Sequence, residues 1–295
     1  MGLENIARGQ ALAPHTTFRI GGPAEYFWRV HSRAELIQAA QWGRAQALEI
    51  FILGNGSNIL VCDAGVRGLV IENHADAIEM APDEKGETLR VTAESGAPLP
   101  GLANRLARQG WRGLEWAVGI PGTVGAAIVT NAGAHGGAIG DCVIRAEILD
   151  AQNEIRWWTR AELQYEYRNS FLKRHPHQYI VLRAEFELAR ADAADCIARM
   201  NQYAAQRRKT QPTDASVGSM FKNPPGDYAG RLIEAAGFKG TRVGNVQVSN
   251  VHANFFVNQG GATANDVLEL IELVKRGVRE KFKVDLELEI ELVGW

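Results

Sequence analysis

Between Gly119 and Asp141 the chain reads Gly-Ile-Pro-Gly-Thr-Val-Gly-Ala-Ala-Ile-Val-Thr-Asn-Ala-Gly-Ala-His-Gly-Gly-Ala-Ile-Gly-Asp, with seven glycines. Glycine is required where φ is positive or where a ligand must touch the main chain itself. The first half of the stretch carries almost no side chain able to do chemistry. It therefore reads as a surface that receives something large and polar along its backbone. Residues 123–130 are expected to form a short helix with its N-terminus facing that ligand, a natural place for negative charge. A tight bend with close helix packing would explain two or three of the glycines but hardly all.

A second glycine cluster, Gly54-Asn-Gly-Ser-Asn58, lies between two short apolar runs, 50–53 and 59–61. Its consecutive N–H groups could receive an anion. It is not a Walker loop, because no Lys-Ser/Thr pair closes it, and it lacks the third glycine of a Rossmann fingerprint. Alone it reads best as a β-hairpin turn, since Asn-Gly is a favoured hairpin dipeptide. A second glycine-rich stretch in the same chain tips the balance towards a phosphate or cofactor cradle.

Bulk properties narrow the class. A chain of 295 residues, 46% hydrophobic and 22% charged, has room for two or three domains. A net charge of −2 offers no broad basic field, which disfavours nucleic acid or an anionic membrane as the main partner. No apolar run approaches the ~18 residues of a membrane span. Met1–Asn5 lacks the basic-then-apolar pattern of a signal peptide. Cys62, Cys142 and Cys196 are odd in number and widely spaced, which argues for a reducing cytoplasm rather than a disulfide frame or zinc site.

Periodicity supplies the elements. A strand is expected over 24–30 and a helix over 33–47, opened by a Ser32/Glu35 capping box. Further strands are expected over 69–71, 88–93, 142–150, 154–158 and 179–188, the last three in one sheet. Helices are expected from Leu99, ended by Gly110, at 160–165, and over 191–209. The loop 211–218 reads as a domain boundary, followed by a helix over 228–236 and a strand over 254–258. Thr263 and Asp266 start a long helix with Val267, Leu270, Ile271, Val274 and Val278 as one apolar stripe. Residues 284–292 alternate apolar and acidic, which predicts a strand with one buried face.

Several polar residues could carry chemistry. Glu287, Glu289 and Glu291 would share one side of the last strand, as a solvated face or with one of them tuned in a cleft. Arg168 is a surface arginine or a bidentate carboxylate clamp. Ser219 is a strand start or a functional hydroxyl, with Lys222 and Asn223 beside it; no Gly-x-Ser-x-Gly elbow marks a hydrolase. His175-Pro-His177 has a metal-like spacing without a further ligand cluster, so no metal is expected.

Together these segments resemble the UDP-N-acetylenolpyruvoylglucosamine reductase family. The resemblance runs through Thr16-Thr-Phe-Arg-Ile-Gly-Gly-Pro-Ala24, Leu53-Gly-Asn-Gly-Ser-Asn-Ile-Leu-Val61, Gly119-Ile-Pro-Gly-Thr-Val-Gly125, and Asn131-Ala-Gly-Ala134. It continues through Tyr167-Arg168-x-Ser170, Gly218-Ser219-x-Phe221-Lys222-Asn223-Pro224 and Leu286-Glu-x-Glu289. It implies a mixed α+β fold: a two-subdomain FAD-binding fold of the PCMH/VAO type plus a C-terminal α+β substrate-binding domain. The corresponding boundaries are 1–72 for the first subdomain, 73–208 joined by 284–295 for the second, and 209–283 for the substrate domain.

The resemblance also implies FAD as cofactor and NADPH as co-substrate. Hydride passes through the flavin to an enolpyruvyl ether of a UDP-sugar, as in UDP-N-acetylmuramate dehydrogenase. By motif position Ser219 is the proton donor, and Arg168 and Glu289 stabilise the enolic carboxylate. The cofactor would lie on Thr17, Phe18, Arg19, Gly54, Asn55, Gly56, Ser57, Asn58, Gly119, Ile120, Pro121, Gly122, Thr123, Gly125, Ala126, Asn131, Ala132 and Gly133. Arg207, Lys209, Lys222, Asn223 and Asn254 are the substrate-binding candidates. Ser219 stands only 51 positions after Arg168, which fits a shorter subgroup without a tyrosine-bearing insertion. Met220 departs from the family by standing where an aromatic is common, and Ala126 by replacing a frequent glycine. A flavin-dependent alcohol or lactone oxidase or dehydrogenase of the same fold, and a non-catalytic sugar-nucleotide binding module, are the alternatives.

Overall fold

A computed structural model describes residues 6–295; Met1–Asn5, used above in the leader reading and the first domain, lie outside the described residues. The chain forms two compact units. One contains residues 27–54 and 68–207, the other 7–26, 55–67 and 208–295. The three-way division expected from the sequence is not the one the contacts give: residues 284–295 belong with 208–283, not with 73–208.

In the first unit the sheet runs, in spatial order, Ile155–Thr159, Val143–Leu149, Ile180–Arg190, Thr88–Glu94 and Ile78–Pro82, all antiparallel, with Trp111–Arg112 pairing the end of the long strand. Alternation sends Val91, Ala93, Ala146, Ile148, Ala184 and Phe186 into one core with Leu102 and Leu106 of helix Leu99–Arg108. The same alternation leaves a charged row on these strands. Arg145 opposes Glu185, and Arg183 opposes Glu147. Glu147, only 5% exposed, also receives Arg33 at 2.6 Å from the first turn of helix Arg33–Ala45. Opposite charges placed across a ladder in this way fix register as well as adding attraction. Strand Ile78–Pro82 was not among the expected elements. Its Glu79 and Ala81 are exposed while Ile78 and Met80 pack against the core, an alternation too short to stand out among polar neighbours.

The second unit is built on helix Ala264–Phe282, whose Val267, Leu270, Ile271, Val274 and Val278 are all buried as their spacing predicts. Thr263 and Asp266 complete the capping box, and the Asp63 carboxylate accepts the N–H groups of Ala264 and Asn265 at 2.8 and 3.1 Å. Four orphan donors open any helix, so a distant carboxylate there is worth about 1 kcal/mol. The stripe packs with helix Ala229–Ala235 and with the sheet Ser216–Ser219, Phe255–Asn258, Val246–Val248, Arg242–Val243.

One alternative and one expectation fail here: the hairpin reading of Gly54–Asn58 taken alone, and the continuous terminal strand. Ile50–Leu53 pairs in parallel with Val66–Asn73, and Ile59–Val61 pairs in parallel with Glu291–Val293, so Gly54–Asn58 is not a hairpin turn. Regular pairing near the C-terminus is confined to Glu291–Val293, with one isolated bridge from Leu288 to Phe221, instead of a strand over all of 284–292. The apolar-acidic alternation survives in burial at Leu286 and Ile290, 3% and 6% exposed, and breaks at Leu292, 39% exposed. An extended chain can bury one face without a continuous ladder.

Candidate active site

The glycine-rich stretch of the first unit folds as a loop, a seven-residue helix Val124–Thr130, and a tight hairpin of Gly133–Ala134 with Gly137–Ala138. Thr123 caps the helix. The first N–H groups of that helix are spent inside the protein: Val124 donates to Ala97 O at 2.9 Å, Gly125 to Ser95 O at 2.7 Å, and Ala126 to Thr123 Oγ1 at 3.4 Å. The anion site expected at this N-terminus is therefore not formed. Bare backbone is what allows the approach. A Cβ on Gly54 would lie 2.8 Å from Thr123 Oγ1, and one on Gly125 would lie 2.9 Å from Ser95 Cβ. A Cβ on Gly122 would meet nothing nearer than Ile120 Cγ2 at 4.0 Å, so the loop ahead of the helix keeps an open, side-chain-free flank.

Asn131, Ala132 and Gly133 hold this fold together. The Asn131 amide donates to Glu166 O at 2.8 Å and accepts from Gly140 N–H at 3.0 Å, Ala132 N–H donates to Ala127 O, and Gly133 pairs with Ala138. These bonds give the three residues a scaffolding role in the hairpin. The hairpin tip bears His135, stacked on Tyr203 of helix Ala193–Thr210 with centroids 4.2 Å apart. Arg207, one turn on, lies against Gly119, where a Cβ would sit 2.2 Å from its Cδ. Burial holds the Arg207 guanidinium below its ordinary pKa; burial and then the Arg207 charge push the His135 imidazole down. An anion beside Arg207 would relieve that cost. Arg207 was a substrate-binding candidate, but its grouping with Tyr203 and His135 was not anticipated, because His135 is far from both in the sequence.

Arg168, also in this unit, has φ +55, with its guanidinium carbon 5.6 Å from the Tyr167 ring centroid and its carbonyl accepting from Lys173 Nζ at 3.1 Å. The turn is held by Ser170, fully buried, whose hydroxyl donates to Val129 O at 2.6 Å. His175 and His177 each direct Nδ1 at a main-chain carbonyl, of Phe171 and Ile50.

In the second unit, strand Ser216–Ser219 contains a bulge. Ser216 opposes Val257 while Ser219 opposes Phe255, one residue more on one side than on the other, and Gly218 takes φ +80. No atom lies within 4 Å of a Cβ there, so conformation and not space demands the glycine. Beyond the bulge, Glu289 N–H donates to Met220 O at 2.9 Å, and Lys222 N–H to Glu287 O at 2.9 Å. Ser219 and Glu289 are thus carried on paired segments. Of the three terminal glutamates, Glu289 is half-buried while Glu287 and Glu291 are exposed, and Lys222 Nζ pairs with Glu287 at 3.1 Å.

Other expected ligand residues turn inward. Phe18 is fully buried in the core, and the Thr17 hydroxyl donates to Ser216 O at 2.7 Å. Arg19 and Lys209 are exposed. Asn58 donates its amide to Glu289 O, and Asn223 Oδ1 accepts the N–H of Ala229 at the start of a helix. Asn254, 3% exposed, spends both ends of its amide on Phe221: Nδ2 to the carbonyl at 2.8 Å, and Oδ1 from the N–H at 3.0 Å. Its expected contact with substrate is replaced by a grip on the neighbouring main chain. Asn55, Gly56, Ser57, Ile120 and Pro121 remain in exposed, half-buried or loop positions consistent with a ligand, apart from Gly56, which is buried against His15 and Thr16.

Residues 211–293 match a sequence profile for the C-terminal domain of UDP-N-acetylenolpyruvoylglucosamine reductase, and residues 24–159 one for an FAD-binding domain. The reductase of Chloroflexus aurantiacus is 44% identical over 96% of this chain and 96% of its own. The chain belongs to the UDP-N-acetylenolpyruvoylglucosamine reductase family. The second reductase of Symbiobacterium thermophilum is 45% identical over 98% of this chain and 92% of its own. A crystal structure of the reductase from Thermus caldophilus superposes with a TM-score of 0.79 at 37% identity, covering 98% of each chain. The mixed α+β architecture, with an FAD-binding region followed by the family's C-terminal domain, is the one the resemblance implied. FAD fits the residues present: the open flank at Gly122 leaves bare main chain for a flat, extended cofactor, while Gly54 and Gly125 are bare because Thr123 and Ser95 pack against them.

Proposed function

We infer that the protein is an NADPH-dependent flavoenzyme reducing UDP-N-acetylglucosamine enolpyruvate to UDP-N-acetylmuramate, a step of peptidoglycan precursor synthesis. Bound FAD supplies the two-electron relay between NADPH and the substrate. Gly54 to Ser57 and Gly119 to Thr123 are the residues we assign to holding it, with Ala126 at the edge.

The roles of the chain's own groups follow from the chemistry. Hydride addition to one carbon of an alkene conjugated to a carboxylate drives charge into that carboxylate. Arg168, as a bidentate cation, lowers the energy of the enolic form, and the half-buried Glu289 carboxyl polarises it. Ser219 Oγ donates the proton to the other carbon. A serine hydroxyl is a weak acid, adequate only because the acceptor is a far stronger base and a cation such as Lys222 stands near in sequence. Arg207 is assigned to an anionic part of the ligand, on account of its burial beside Gly119. Lys209 and Lys222 are assigned to the same task more loosely, as flexible cations. Among the described residues no helix is long and apolar enough to cross a membrane. We place the enzyme in the cytoplasm, with three free thiols suited to it.

The observation that carries this reading is the main-chain bond from Glu289 to Met220, next to Ser219, which puts two of the three motif residues on paired segments. The test is the visible spectrum of the purified protein. Flavin absorbance, bleaching by NADPH, and recovery on adding the enolpyruvyl sugar nucleotide are expected. A colourless protein that releases no flavin on denaturation would overturn the reading.

A further inference from the structure

We propose that Asn254 is a positioning residue for the proton-transfer step, acting through the main chain of Met220 and Phe221 on both Ser219 and Glu289. The inference rests on the reading of Ser219 as proton donor.

The bulge at Gly218 ends regular pairing at Ser219 and Phe255. The next two residues would then leave buried main-chain groups without a ladder, which folding strongly disfavours. Asn254 takes over. Its carbonyl accepts from Met220 N–H at 2.7 Å, and its side-chain amide closes on Phe221 N–H and C=O at 3.0 and 2.8 Å, imitating one more residue of strand. Met220 and Phe221 are fully buried. On the far side the same two residues receive the terminal segment, through Glu289 N–H to Met220 O and the bridge between Phe221 and Leu288. One amide therefore fixes the strip that carries Ser219 and receives Glu289. A ligand contact for Asn254 has no surface to work from, at 3% exposure.

In the step concerned, hydride from NADPH, relayed by the flavin, forms a C–H bond at the terminal alkene carbon. The π pair moves to the carbon bearing the carboxylate, and that carbon takes the proton from Ser219 Oγ. The resulting alkoxide regains a proton from water, so NADPH and one solvent proton are consumed for each alkene reduced. Displacing the donor by about 1 Å slows such a step on the order of 100-fold.

The test compares Asn254→Asp, which is isosteric and keeps an acceptor for Phe221 N–H, with Asn254→Ala, Ser219→Ala and the double variant Ser219→Ala/Asn254→Asp, all as holoenzymes. Expected for Asn254→Asp are an unchanged flavin content and rate of bleaching by NADPH, reoxidation by the enolpyruvyl substrate on the order of 10- to 100-fold slower, a larger solvent deuterium isotope effect on reoxidation, and faster amide exchange in the peptide containing Met220 and Phe221. Relative to Ser219→Ala, the double variant should lose less than Asn254→Asp loses relative to the parent, because the part of the effect that acts through Ser219 goes with the hydroxyl while the part that acts through Glu289 remains. Reoxidation within twofold of the parent in both Asn254 variants would overturn the proposal. So would a parallel loss of flavin and of both half-reactions, the mark of a purely structural residue. If Ser219→Ala leaves reoxidation intact, the assignment of Ser219 itself fails, and that result is separate from anything seen at Asn254.

Discussion

The side-chain amide of Asn58 donates to the main-chain carbonyl of Glu289 at 3.1 Å, and the carbonyl of Asn58 accepts the N–H of Glu291 at 3.0 Å. The last residue of a glycine-rich turn thereby fastens the segment that bears the half-buried carboxyl. Asn58→Ala removes the first bond and keeps the second. We expect a loss of about 1 kcal/mol in stability, read by urea unfolding, with reoxidation by substrate slowed more than reduction by NADPH. Equal slowing of the two would separate Asn58 from Glu289.

Glu289→Gln keeps the size of the side chain and removes its charge. Flavin reduction by NADPH should persist within a few-fold, while reoxidation by the enolpyruvyl substrate falls on the order of 100-fold or more. Stopped-flow absorbance resolves the two phases. Glu287→Gln is the comparison, since Glu287 is exposed and paired with Lys222; a comparable collapse there would move the assignment along the segment.

The glycine loop makes its own prediction. At Gly122 a Cβ finds open space in the protein, so Gly122→Ala should leave the thermal midpoint of the flavin-free protein unchanged. If the flank receives FAD, the same variant should retain several-fold less flavin per chain after purification. At Gly54 the added Cβ would sit 2.8 Å from Thr123 Oγ1, and Gly54→Ala should lower both flavin content and flavin-free stability, the latter by about 1–3 kcal/mol. Full flavin retention in Gly122→Ala would remove this loop from the cofactor site.

His252 links pH to the strip around Ser219. Its Nδ1 accepts the N–H of Asn254 at 3.2 Å, which requires that nitrogen to be unprotonated. Burial, then the charge of Lys239, hold its pKa below the ordinary 6.5, against a smaller opposing effect of Glu234. Above pH 6.5 the ring is neutral in both folded and unfolded chains, and its contribution is complete. As pH falls below 6.5 the unfolded chain binds the proton first, so stability declines until the folded ring is protonated too. Thermal midpoints measured from pH 7.5 to 5 should fall more steeply for the parent than for His252→Gln. Parallel curves would show that the imidazole carries no such linkage.

Helix Ala264–Phe282 was legible from its residues, because a 3.6-residue stripe ending in Val278 and a Thr263/Asp266 box are local features. The terminal segment shows the limit. Its period of two located buried positions at Leu286 and Ile290 but not the exposed Leu292, and could not say whether hydrogen bonds would run along it. Gly54–Asn58 shows it again: Asn-Gly between apolar runs suits a hairpin, but each run found a parallel partner elsewhere in the chain.

What the sequence alone determined is the family; it also nominated bare backbone along Gly119–Gly125 and the motif residues Arg168, Ser219 and Glu289. Each is a matter of residue type and order. Tertiary structure decided what those residues lean on. Asn254 and Asn58 are short amides whose composition suits a ligand as well as a main chain; only the fold shows that Phe221 and Glu289 hold them. Likewise, only the fold shows that Ser95, Ala97 and Thr123 take the donors at a helix N-terminus that would otherwise have suited an anion. A buried polar group must find a partner, and which partner is within 3 Å depends on chain segments that the local sequence does not contain.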